Sequence, residues 1–178
     1  MIIKLIPPFL PGPSGCKLIS VCILNQSTVL TELTISGNGI GPVGVQHLVD
    51  GVMGNRKCKL TVLDLSYNRL TDAGAHALVP MLRSKTFLIN LCVNGNELTD
   101  DGASAIFNAL CSPSNENDVT SDAGSIVSKN PNDTPQQLLN SEKPTALRQL
   151  QCGFNPAIGD AVMESVGLML LENHSMVG

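Results

Sequence analysis

Asp72, Asp100, Asp101 and Asp160, together with His47, His76 and His174, are the side chains here whose types could hold a metal ion or exchange protons. Carboxylates and imidazoles do that work only when their spacing brings them to one point. The spacing points elsewhere. Thr71-Asp72, Thr99-Asp100 and Gly159-Asp160 set an aspartate behind a threonine or glycine, and Gly41-Pro42 holds the corresponding place upstream. Threonine or glycine suits a helix cap, proline fits the first helical position, and a carboxylate complements the positive end of the helix dipole. Helix capping therefore outweighs a metal or acid cluster. The three histidines share no common repeat position, and His47 and His76 fall on helices, where they read as solvent-facing or helix-edge side chains. No G-x-S-x-G elbow, phosphate-cradling glycine loop or H-E-x-x-H is present. A chain without enzyme activity, cofactor or metal is the expectation.

The elements that would position these residues recur. L-x-x-L-x-(L/I/V/C)-x-x-N occurs four times, beginning at Leu30, Leu60, Leu88 and Leu147 and ending at Asn38, Asn68, Asn96 and Asn155. Behind the asparagines a second pattern follows at helical spacing: Ile40, Gly44, Leu48, Val52; Leu70, Gly74, Leu78, Leu82; Leu98, Gly102, Ile106, Leu110; and Ile158, Val162, Val166, Leu170. An apolar period of two that switches to a period of four within each repeat specifies a short strand followed by a helix. The class is α/β. The glycines Gly44, Gly74 and Gly102 are expected to let helix and sheet approach closely. Each asparagine is expected to turn inward and to bond backbone groups of neighbouring coils that would otherwise be buried unpaired.

With strand, asparagine and helix positions in register over residues 30–111 and 147–171, about three-fifths of the chain, the sequence resembles the ribonuclease-inhibitor-like subfamily of leucine-rich repeat proteins. The resemblance implies a right-handed solenoid, a horseshoe segment with a parallel sheet on its concave side and helices on its convex side. It does not imply ribonuclease inhibition. The subfamily also includes the Ran GTPase-activating protein and the sensing half of NOD-like receptors, so a GTPase-activating regulator or a receptor fragment stands as the alternative to a binding scaffold.

Composition narrows the classes. One Tyr, four Phe and no Trp leave an aliphatic interior, as stacked leucine ladders have. A formal charge of −4 without a basic stripe argues against nucleic acid. No run of about 18 apolar residues exists to cross a membrane, and Pro7, Pro8, Pro11 and Pro13 interrupt the apolar start. Cys16, Cys22, Cys58, Cys92, Cys111 and Cys152 form no C-x-x-C pair and read as reduced thiols of a cytoplasmic protein. Cys152 takes an inward position of the fourth strand and Cys92 an outward one.

The chain divides into a proline-rich segment 1–16, read as disordered, a helix of a partial preceding repeat over 17–29, and three repeats over 30–111. A polar insertion, 112–146, is read as disordered, and 147–178 holds the fourth repeat and the start of a truncated fifth. Neither end carries a polar capping element, which makes end-to-end self-association an expectation. With no catalytic constellation, the concave surface carries the functional reading: a non-catalytic scaffold that docks a protein partner. Its rows are Glu32 and Thr34, Val62 and Asp64, Asn90 and Cys92, and Gln149 and Gln151, with Tyr67 and Phe154 as aromatic anchors at the rim.

Overall fold

The computed structural model describes residues 1–5, 12–84, 87–111, 147–162 and 166. Five short parallel strands, β1 (Ile2–Lys4), β2 (Glu32–Thr34), β3 (Val62–Asp64), β4 (Asn90–Cys92) and β5 (Gln149–Gln151), form one sheet in sequence order. Parallel neighbours need a crossover, and helices supply it: α1 (Gly12–Ile19), which runs into a π-helical turn at Ser20–Leu24, α2 (Gly41–Gly54), α3 (Thr71–Ser84) and α4 (Asp100–Cys111). Each helix packs on its sequence neighbours. The result is an α/β solenoid whose sheet stays open.

Register follows from the leucines. Ile3, Leu33, Leu63, Leu91 and Leu150 lie side by side across the five strands. Leu30, Leu60, Leu88 and Leu147 form a second buried ladder, and Ile35, Leu65 and Val93 a third with no exposure at all. Burying one such side chain is worth roughly 2 kcal/mol, so the stacked ladders dominate the stability. Cys152 continues the third ladder but is only half-buried.

Within the segment 1–16, expected to be disordered from its prolines, residues 1–5 and 12–16 are described and hold a strand and a helix start, while residues 6–11 lie outside the described residues. Ile2–Lys4 pairs in parallel with Glu32–Thr34, and Leu5 N–H donates to the Thr34 carbonyl at 2.8 Å. Ile3 and Leu5 stand 30 residues before Leu33 and Ile35 and point into the same core. The prolines begin only at position 7, beyond the strand. The expected helix over 17–29 likewise starts earlier, at Gly12, and ends at Leu24, before Ser27 Oγ accepts the Leu30 N–H at 3.0 Å. After β5 a 3₁₀ turn, Asp160–Val162, buries Val162. The expectations for 112–146, and for a fifth repeat beginning after residue 166, lie outside the described residues.

The helical glycines act differently from the helix–sheet role expected of them. A Cβ at Gly44 would stand 3.1 Å from Cys16 Sγ on α1 as well as 2.9 Å from Ile40 Cβ, and one at Gly102 would collide with the Asp72 carboxylate. These positions face the preceding coil's helix near its start, Pro13 and Cys16 for Gly44, Pro42 for Gly74 and Asp72 for Gly102.

Candidate functional site

Two constructions meet where the strands end: a buried polar ladder and an exposed aromatic step. The ladder is the repeated asparagine. Asn68 Oδ1 accepts the N–H of Asn38 at 2.7 Å, Asn96 Oδ1 accepts that of Asn68 at 2.7 Å, and Asn155 Oδ1 accepts that of Asn96 at 2.7 Å. Each Nδ2 donates inside its own coil and back to the preceding one: Asn38 to Leu5 at 3.2 Å, Asn68 to Ile35 at 2.9 Å, Asn96 to Leu65 at 3.0 Å, Asn155 to Val93 at 3.1 Å. Only an amide both accepts and donates in this manner, which is why leucine cannot stand here. Asn38, Asn68, Asn96 and Asn155 are all buried.

The aspartates stand in the first turns of their own helices, and two of them, Asp72 and Asp100, also bond the helix start of the following coil. Asp72 Oδ1 accepts the N–H groups of Thr99 at 2.8 Å and Gly102 at 3.1 Å, and Oδ2 accepts the Thr99 hydroxyl at 2.7 Å. Asp100 Oδ1 reaches forward in the same way to Gly159 N–H at 2.6 Å. The carboxylate of one coil thus satisfies orphan donors at the next helix start. At Asp72, partial burial pushes the carboxyl pKa up, but the hydrogen bonds from Thr99 and Gly102, with the nearby His76, hold it below its ordinary value. A carboxylate with a depressed folded pKa stabilises above the unfolded value, and that contribution disappears as pH falls through the folded one. Asp72→Ala is expected to cost about 1 kcal/mol at neutral pH. Paired thermal melts should show the gap between variant and parent constant above about pH 5 and closing below about pH 4.

His76 Nε2 lies 2.9 Å from Asp101 Oδ2, an exposed pair on the helical side. Among the described residues no three His, Cys, Asp or Glu side chains converge as a metal site would require. Burial pushes Cys16 up to about 11, burial raises Cys152, and burial together with the Asp64 charge raises Cys92. At neutral pH these thiols are protonated and poor nucleophiles.

The structure brings the concave residues into two rows: Ile2, Glu32, Val62, Asn90 and Gln149 in one, and Lys4, Thr34, Asp64, Cys92 and Gln151 in the other. Ile2 and Lys4 were missed from sequence because their coil has Pro8 where Asn38 would predict an asparagine 30 residues earlier. Within the rows most side chains are half-buried against one another, while Ile2, Lys4 and Gln149 are exposed. A further row is partly closed to solvent: Ser66 is buried beside Asp64, whose Oδ1 accepts its N–H at 2.9 Å, and Asn94 Nδ2 donates to Gln151 Oε1 at 3.3 Å.

Just past the strands, the chain turns through left-handed backbone in four successive coils, at Gly37 (φ 72°), Tyr67 (57°), Gly95 (62°) and Phe154 (56°). Glycine takes this conformation freely, whereas a side chain there costs on the order of 1 kcal/mol. Tyr67 and Phe154 nonetheless occupy it, with 55% and 79% of their surfaces exposed. Their rings pack with centroids 6.5 Å apart and a 35° tilt. Gly95 makes the contact possible, since a Cβ there would lie 2.5 Å from Tyr67 Cδ1 and Cε1.

Comparison with known proteins agrees with this architecture. The family model described as "Leucine Rich repeat" matches residues 26–49, 56–79 and 85–107. Ribonuclease inhibitor from Sus scrofa is 31% identical over 101 residues, 57% of this chain and 22% of that protein. The mouse (Mus musculus) ribonuclease inhibitor is 36% identical over 98 residues, 55% of this chain and 21% of its own length. The chain is a leucine-rich repeat protein of the ribonuclease-inhibitor-like type. This leucine-rich repeat array is also similar to NACHT, LRR and PYD domains-containing protein 3 of Bos taurus, at 35% identity over 97 residues, 54% of the chain and 9% of that protein. The chain thus spans about a tenth to a fifth of the lengths of these relatives. Leucine-rich repeat domains are, as a class, protein-interaction modules that are typically non-catalytic. Among the described residues no helix is long and apolar enough to cross a membrane.

Proposed function

We propose that this leucine-rich repeat array is a non-catalytic scaffold that holds a protein partner against its concave rows and the rim beside them. The observation that carries this reading is the Tyr67–Phe154 step, two large aromatic side chains exposed in a backbone conformation that glycine serves at lower cost. Stability does not call for them there, and exposed aromatics are the side chains that most often anchor protein interfaces. Glu32, Thr34, Val62, Asp64, Asn90, Cys92, Gln149 and Gln151 surround the step with small polar groups suited to an adaptable rim. Cys16, Cys22, Cys58, Cys92 and Cys152 are unpaired, which supports a reducing, cytoplasmic setting.

Glycine is the informative substitution. Tyr67→Gly and Phe154→Gly remove the rings and relieve the left-handed backbone, so both variants should melt close to the parent. Affinity capture with quantitative mass spectrometry should show partners of the parent depleted at least tenfold on the double variant, corresponding to the loss of about 1.4 kcal/mol or more. Capture unchanged by the double substitution would remove the rim from the interface.

A further inference from the structure

We infer that the Tyr67–Phe154 step is a seat for an arginine side chain of the partner, with the guanidinium stacked on the rings. The inference deepens the reading above and rests on it. Two observations point to a cation rather than an apolar group. The faces of aromatic rings carry negative potential, and Tyr67 and Phe154 leave more than half of their surfaces to solvent, Tyr67 lying over Gly95 and the two rings packing on each other at 6.5 Å between centroids and a 35° tilt. The edge of the array that carries them is also acidic. Between the strand ends and the first turns of the helices stand Asp64, Asp72, Glu97, Asp100, Asp101 and Asp160. Against them are Arg69, which lies 4.0 Å from Glu97, His76 on Asp101, and Lys4 two strands away from β3. Carboxylates outnumber cations on this edge, so an arriving cation is favoured there. Guanidinium fits better than ammonium, because it is planar, weakly hydrated and can fork to a carboxylate while it stacks. Gly95 is part of the seat, since it keeps Tyr67 laid toward Phe154.

The chain contains one tyrosine and no tryptophan, so its ultraviolet emission reports from Tyr67 alone. The test is a titration of the intact protein with a short glycine-spaced arginine peptide, followed in tyrosine emission, and with the same peptide carrying citrulline, which keeps the planar shape without the charge. The expected result is a saturable change with arginine, about fivefold or more weaker with citrulline. Phe154→Gly, which retains the reporter, should weaken arginine binding to a similar degree. Equal response to both peptides, no response to arginine, or an unaltered titration in Phe154→Gly would each overturn the arginine seat. If arginine gives no response while the double glycine variant still loses its captured partner, the rim remains an interface and only its occupant is wrong. If capture is also unchanged, the broader reading fails with it.

Discussion

Asn68→Leu is expected to destabilise the protein by about 2–4 kcal/mol, although leucine is more apolar and similar in size. The amide sits at zero exposure and serves four backbone partners in two coils, the Asn38 N–H and the carbonyls of Ile35, Leu65 and Ser66. Its Oδ1 accepts the Asn38 N–H at 2.7 Å, a buried bond that a leucine side chain cannot replace. Its Nδ2 donates to the Ile35 and Leu65 carbonyls. Those carbonyls still receive bonds from Asn38 and Asn96 respectively, so the cost is divided between the lost bond to the Asn38 N–H and the weakened acceptors. Chemical denaturation should show a lower midpoint. The neighbouring coils should lose amide protection along with the mutated one, because the bond runs between coils. A midpoint within 0.5 kcal/mol of the parent, well below the cost of one buried orphan group, would contradict the ladder.

Leu63→Ala is expected to cost about 3 kcal/mol. Leu63 is 2% exposed and lies in register between Leu33 and Leu91, so shortening it opens a cavity in the middle of the ladder, not at an end. Strands of three residues, each bonded to its neighbours, have little freedom to collapse into the space. In a quasi-one-dimensional array each coil contacts only its neighbours, so a weak central layer can split the unfolding into two transitions. Calorimetry of Leu63→Ala should show a lower, broader endotherm than the parent. A single sharp transition at the parental temperature would mean that the leucine ladder is not the principal source of cohesion.

Much of this was legible in the chain because repetition makes each residue a test of the others. One leucine predicts little, but Leu33, Leu63, Leu91 and Leu150 at matching offsets predict a register, and the strands pair in that register. The same logic failed where the repetition is broken. β1 carries the alternation of Ile3 and Leu5 but lacks the asparagine, so its prolines outweighed two apolar residues in the reading. The aspartates occupy the first turns of their own helices, where the sequence put them to complement the helix dipole, but the bonds from Asp72 and Asp100 to the next coil had no signal in it. Local sequence places Asp72 beside its own helix, whereas the coil spacing puts the carboxylate against Thr99 and Gly102.

The sequence by itself determined the α/β repeat, the inward asparagines, the aliphatic core and the side chains facing outward along β2 to β5, though not those of β1. These are consequences of short-range stereochemistry: a period of two, a period of four, and a polar residue at a fixed place between them. Only the tertiary structure decided what those side chains meet. Tyr67 and Phe154 are separated by 87 positions, a polar insertion and a glycine coil, yet their rings lie 6.5 Å apart at the rim. That proximity depends on how many coils are stacked between them and on Gly95 having no side chain in the way. No pattern within a single repeat carries either fact, because stacking order and the space between coils come into being only when the coils are placed on one another.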